Sequence, residues 1–198
     1  LTNKELRALM NKIPNNIVTV IDTAYAEFTD AHDYDKSFAL ADEYENVIIT
    51  RTFSKAYSLA GIRLGWGYGS QKLINMIKKL RPPFNLSPGT IAAGIAALGD
   101  EIHLSKVVNH NNNIKNWFID NLNNLGFVAY KTQANFVFVI IPEKKNQNAS
   151  LINDYLLSKG IAVRYLKSYG LANALRITLG TEEELNKTLN FLKEFCNQ

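Results

Sequence analysis

Six residues near the start of the chain, IVTVID (Ile17–Asp22), form an almost unbroken β-branched run that ends in an acid. Such a run is too short for a stable helix and too uniformly apolar for a strand with one wet face, so it predicts a strand buried on both sides. NVIITRTF (Asn46–Phe53) repeats the pattern after a polar loop and a short helix predicted over Ser37–Tyr44. Strands of this kind belong to parallel sheets covered by helices, which places the chain in the α/β class. A third strand, glycine-rich, is predicted over RLGWGYG (Arg63–Gly69).

The helix signals fit around these strands. Thr2 and Glu5 form a T-x-x-E capping box ahead of Leu6, Leu9, Met10 and Ile13, and Pro14 stops that helix. Ser70 caps a helix with Leu73, Ile74, Ile77 and Leu80 on one face, and RPPFNLSPG (Arg81–Gly89) breaks it. A long helical region is predicted from Thr90 to about Asn124, bent at Gly99–Asp100. After Gly126 the pattern changes to short strands, FVAY, ANFVFVII, IAVRYL and ALRITLG, with a helix over Leu151–Ser158. Glu143–Asn148 reads as a loop, and a last helix starts at the capping box Thr181–Glu184 and buries Leu185, Leu189, Leu192 and Cys196. The expected division is residues 1–104, an α/β unit with a mostly parallel sheet, and residues 105–198, a smaller α+β unit, with the long helix at the junction.

Composition narrows the partners. The 198 residues, 46% hydrophobic, can build one sizeable core and part of another. Twenty-two Lys and Arg against 18 Asp and Glu leave a net charge of +4, scattered along the chain with no basic run interleaved with aromatics. A nucleic-acid partner is not expected, and anionic small ligands are mildly favoured. The single cysteine, Cys196, offers neither a disulfide framework nor a thiolate metal site, and His32, His103 and His110 lack metal-ligand spacing, so no metal is expected. A reducing cytoplasm fits, and no apolar run approaches the roughly 20 residues of a membrane-crossing helix.

In open α/β sheets, ligands gather outside the carboxyl ends of the strands. Asp22 and Lys55 both fall where a predicted strand runs out. Read alone, Asp22 is a strand-end acid that caps a loop, and Tyr25 is a buried ring that hydrogen-bonds through its hydroxyl. Lys55, set among Phe53, Ser54, Ala56 and Tyr57, is either a lysine snorkelling from a loop or an amine whose partial burial lowers its pKa. The second state is what an amine nucleophile or Schiff-base lysine needs. Arg63, eight residues on, has a rigid fork suited to paired oxygens, and with the hydroxyls of Thr52 and Ser54 it can hold a phosphate.

The stretch SKAYSLAGIRLG (Ser54–Gly65) resembles the pyridoxal-phosphate lysine motif, S-K-x-x-x-x-A-G-x-R-x-G, of the class I/II (fold type I) aminotransferases. VIDTAYAEF resembles the strand-end D-x-A-Y segment of that family, and RPPFNLSPGTIAAGIAAL, QANFVFV, GIAVRYL and LRITLGT follow in the family's order. Within the superfamily the set is most similar to the histidinol-phosphate aminotransferases. The resemblance implies part of a fold type I large domain followed by a C-terminal small domain, with pyridoxal 5'-phosphate as cofactor. Lys55 would bond the cofactor and then move the substrate α-proton, Asp22 would pair with the ring nitrogen, and Tyr25 would donate to the ring oxygen. Ser54 and Arg63, with Thr52 as a weaker candidate, would hold the cofactor phosphate. Arg176 and Arg164 would bind the substrate's anionic groups, with a surface strand arginine as the lesser alternative for Arg164. Asn85 and Asn135 sit in family-like segments with no assigned role. The resemblance further implies a small-molecule amino donor, a keto-acid acceptor such as 2-oxoglutarate, and a homodimer. An aromatic aminotransferase, a threonine-phosphate decarboxylase and a non-catalytic remnant share the same residues as alternatives. The match is to the C-terminal portion of the family, so weak or no transamination is expected of these residues alone.

Overall fold

The first apolar run is a strand, with one partner strand among the described residues. The computed structural model describes residues 1–34, 38–143 and 147–197, which divide into two compact units, Leu1–Val108 and Asn109–Gln198. In the first unit, β1 (Thr19–Asp22) pairs in parallel with β2 (Val47–Thr52), placing Asp22 opposite Thr50. Strand β3 (Gly65–Gly69) returns antiparallel on the other side of β2, with Gly65 opposite Thr52. The expected mostly parallel sheet is therefore one parallel and one antiparallel pair here. The β2–β3 connection carries a lysine turn and one short 3-10 turn (Ala60–Ile62) rather than a crossover helix, and a short return of that kind gives an antiparallel partner.

Burial corrects the reading of β1 as doubly buried. In β2, Val47, Ile48 and Ile49 are buried, whereas Val18 and Val20 are 50% and 60% exposed. Strand β1 has one neighbour among the described residues, so only its Ile21 side reaches the core. That core joins Val47 and Ile49 to Met10 of α1 (Asn3–Met10) and to Leu40 and Ala41 of α2 (Ala39–Glu43). The helix predicted over Ser37–Tyr44 shortens to α2, and Ser37 itself lies outside the described residues. The Thr2–Glu5 capping box closes both ways, since the Thr2 hydroxyl accepts from the Glu5 N–H and the Glu5 carboxylate accepts from the Thr2 N–H.

Ser70 caps α3 (Gln71–Leu80), yet of the predicted apolar face only Leu73 is buried, and Leu80 is 84% exposed. The long helical region is two helices, α4 (Pro88–Gly99) and α5 (Glu101–Asn124), broken at the expected bend. It starts earlier than Thr90 because Ser87 caps it and Pro88 suits a first turn, where an N–H would have no helical partner. Buried Gly94 lets α4 lie close to the segments on either side of Lys55: a methyl group there would run into Leu64 and come within 3.9 Å of the Phe53 ring.

The second unit is an antiparallel sheet in the order β4-β5-β7-β6: β4 (Val128–Ala129), β5 (Phe136–Ile140), β6 (Arg164–Tyr165) and β7 (Ala174–Thr178). Alternation sorts its residues. Val137, Val139, Leu175 and Ile177 enter a core shared with α5, α6 (Ala149–Ser158) and α7 (Glu182–Cys196), while Phe136, Phe138 and Arg176 occupy the other face. Of the expected buried face of α7, Leu185, Leu189 and Leu192 are buried and Cys196 is only partly so, because it sits in the last turn. Within the predicted polar loop Glu143–Asn148, residues 144–146 lie outside the described set, and Asn148 caps α6 by accepting from the Leu151 N–H at 2.9 Å.

The second capping box, Thr181–Glu184, opens α7. Hydrogen bonds from the Thr181 backbone N–H and hydroxyl hold the Glu184 carboxyl below its usual range. A depressed folded pKa supports the helix above the ordinary Glu value of about 4.3, and that support is lost as pH falls through the lower folded value. Thr181→Ala keeps the backbone N–H and removes the hydroxyl. It should move the Glu184 pKa, read by carboxyl-carbon NMR titration, part of the way back up and fray the start of α7.

Candidate active site

The site begins where β1 and β2 run out together. Parallel pairing sets Asp22 beside Thr50, whose hydroxyl donates to Asp22 Oδ1 at 3.4 Å, and the Ala24 N–H donates to the same oxygen at 3.1 Å. Both bonds fall on Oδ1, so the carboxylate keeps its second oxygen for a cationic partner. Thr23 ties the loop down, its N–H and hydroxyl both donating to the Thr50 carbonyl at 3.0 and 2.7 Å. Tyr25 follows in this loop, just ahead of the short 3-10 turn Ala26–Phe28.

Past the end of β2, the chain turns through Thr52–Leu59. Phe53 and Ala56 are buried and anchor the turn, and half-buried Lys55 lies between them. Its Nζ stands 5.4 Å from the centroid of the Tyr25 ring, a cation–π distance. Two strand ends thus bring an amine and a phenol together. The Thr52 hydroxyl is engaged in shaping the turn, accepting from the Ser54 N–H at 3.0 Å and lying 3.5 Å from the Leu64 carbonyl. The Phe53 N–H also bonds that carbonyl, at 3.1 Å, so the turn is closed against the start of β3.

Arg63 does not begin a strand, as predicted, but ends the 3-10 turn Ala60–Ile62 in the left-handed conformation, φ +57°. Its guanidinium donates once, from Nη1 to the Ala60 carbonyl at 2.8 Å, and is exposed. Among the described residues neither Lys55 nor Arg63 forms an ion pair with a carboxylate. Cations left this way suit a phosphorylated ligand. Chemically, the set offers a primary amine for a carbonyl carbon, a carboxylate for a protonated nitrogen, a phenol for an oxygen and a guanidinium for a phosphate.

In the second unit, Arg164 and Arg176 are register partners across β6 and β7. The Arg176 guanidinium stacks on the Phe136 ring at 4.9 Å, and Arg164 lies 5.8 Å from the Tyr169 ring. Like charges directly opposite on a sheet repel, so such a pair is suited to an anion that neutralises both.

One structural pair escaped the sequence reading. Arg51, between Thr50 and Thr52, donates to Glu27 at 2.7 Å, and both side chains are nearly buried, at 9% and 13% exposure. It fastens the loop that carries Tyr25 to the strand that leads to Lys55. Twenty-four residues separate the partners, and no local pattern announces a contact at that range.

A family model for the aminotransferases of class I and II matches residues 1–192, and the chain belongs to that family. The histidinol-phosphate aminotransferase of Maricaulis maris is 38% identical over 191 residues, covering 96% of this chain and 53% of that protein. That of Paramagnetospirillum magneticum is 37% identical with the same coverage. Among solved structures, the histidinol-phosphate aminotransferase from Sinorhizobium meliloti in complex with pyridoxal-5'-phosphate superposes with a TM-score of 0.91 at 29% identity, covering all of this chain and 53% of that one. The chain spans about half the length of the curated relatives it matches.

Proposed function

We propose that this chain carries the cofactor-binding lysine turn of a pyridoxal-phosphate-dependent aminotransferase that exchanges the amino group of histidinol phosphate with 2-oxoglutarate. The observation that supports this most is the approach of Lys55 to Tyr25 at 5.4 Å, from two strand ends that also present Asp22. The donor set fits the cofactor: an amine for its aldehyde, a carboxylate oxygen for its ring nitrogen, a phenol for its ring oxygen, and Ser54 and Arg63 for its phosphate. Thr52 takes part through the turn that it shapes.

When bound, pyridoxal phosphate supplies an electron sink that makes the α-proton of an amino substrate acidic. The rest falls to the side chains. Asp22 keeps the ring nitrogen protonated, and Thr50 and the Ala24 N–H orient its carboxylate. Lys55 Nζ would take the α-proton as a general base and hold it for return. Arg164 and Arg176 hold the substrate's phosphate and the acceptor's carboxylate. In this reading the first unit is part of the cofactor-binding large domain and the second is the small domain of a cytoplasmic homodimer. No helix among the described residues is long and apolar enough to cross a membrane.

The test is to add pyridoxal phosphate to the full-length protein that carries these residues, reduce with borohydride, and map the labelled peptide. Label on Lys55 is expected, and its absence from Lys55 overturns the reading. Turnover of histidinol phosphate, phenylalanine and threonine phosphate should then favour the first. Faster reaction of phenylalanine, or release of CO2 from threonine phosphate, would reassign the substrate. Arg176→Ala should lower kcat/KM for histidinol phosphate about 10- to 100-fold, the worth of a charge-assisted hydrogen bond. Arg176→Lys should recover little, because an ammonium lacks the fork and the stacking plane.

A further inference from the structure

The turn that presents Lys55 contains a strained residue held by a side chain from another element. Ser58 has φ +59°, in the left-handed region that residues with a Cβ rarely adopt. Its N–H closes the turn onto the Lys55 carbonyl at 2.9 Å, and the next N–H, of Leu59, reaches back to the Phe53 carbonyl at 2.9 Å. Those two bonds bracket the lysine, so Ser58, with its positive φ, is part of the closed turn that presents Lys55. The Ser58 hydroxyl lies 3.1 Å from His103 Nε2. His103 is itself placed: it sits in the first turn of α5, where its N–H donates to the side chain of Asp100 at 2.9 Å.

We infer that His103 is a positioning residue for Lys55, acting through the Ser58 hydroxyl to hold the lysine turn in its left-handed conformation. Asp100 fixes the start of α5, α5 presents the imidazole, and the imidazole clamps the residue at which the turn would otherwise relax to a negative φ. Whichever of the two groups donates, the hydrogen bond forms, so the clamp does not depend on one tautomer. Its bearing on the cofactor rests on the reading of Lys55 given above, whereas its bearing on the turn does not.

The test has two parts. Amide hydrogen exchange is followed at Ser58 and Leu59 in the wild type, His103→Ala, His103→Gln, Ser58→Gly and the double variant His103→Ala/Ser58→Gly. His103→Ala should speed exchange at both amides about five-fold, the scale of one net hydrogen bond, and His103→Gln should restore most of the protection. Glycine adopts a positive φ without a clamp, so His103→Ala should add nothing in the Ser58→Gly background. In the second part, the apparent Kd for pyridoxal phosphate should rise about five-fold in His103→Ala and remain near the parent value in the double variant. Unchanged exchange in His103→Ala overturns the clamp. Faster exchange with an unchanged Kd overturns its action on Lys55. A wild type that takes no label at Lys55 overturns both the function proposed above and the clamp's role in cofactor binding, while the exchange comparison still decides whether the clamp exists.

Discussion

Lys55→Ala is expected to abolish the borohydride-stable attachment of pyridoxal phosphate and to lower turnover by about three orders of magnitude, the usual scale for a positioned general base. Asp22, Ser54 and Arg63 remain in this variant, so reversible cofactor binding should survive in weakened form and be visible by equilibrium dialysis. Lys55→Arg makes the sharper comparison. A guanidinium keeps a cation near the Tyr25 ring but stays protonated in proteins, so it neither attacks a carbonyl carbon nor takes a proton. It should be as inactive as the alanine variant. Appreciable turnover by Lys55→Arg would mean that the lysine contributes charge alone, and the assignment of the base would fall.

Glu27→Ala should destabilise the first unit by about 3 kcal/mol, because it removes one partner of a nearly buried ion pair. Arg51 would lose this carboxylate while its contact with the Phe38 ring, at 5.6 Å, remains. Urea unfolding measures the loss. The double replacement Glu27→Leu/Arg51→Met should recover much of it, since an apolar pair of similar volume carries no desolvation penalty. A spectroscopic signature accompanies the change. Burial, and then the Glu27 carboxylate, raise the Tyr57 phenol above its ordinary pKa, while Arg51 opposes them. Removing Glu27 should therefore lower the pKa found by ultraviolet titration. With a raised folded pKa, the contribution of the neutral phenol is complete below about pH 10 and is lost as pH rises through the folded value.

The placement of Asp22 and Lys55 at the ends of two paired strands was legible in the chain because its signals are local. The lysine, the arginine eight residues on and the glycines after it lie in one short stretch of sequence, and Asp22 and Tyr25 lie in another. Strand runs placed both at the same sheet end. What escaped was long-range. Val20 reads as interior because a β-branched run does not reveal how many neighbours its strand will have. Leu80 completes an apolar stripe on α3 that finds no cover among the described residues. Nothing in the sequence marks Arg51, since its role depends on Glu27 meeting it across a fold. The His103–Ser58 contact was hidden for two reasons: it spans 45 residues, and a serine gives no sign that it will take a glycine-like backbone angle.

The first and last helices of the described chain open with the same device, a threonine and a glutamate that bind each other's backbone. In both, the carboxyl is held below its usual range by bonds from the threonine. Acid should therefore loosen the starts of α1 and α7, each as pH falls through the lowered folded pKa of its own glutamate, while the strands keep their ladders. Acid below the ordinary carboxylate range would fray the starts of these two helices, and the lysine turn, which holds no such box, would not share in that response.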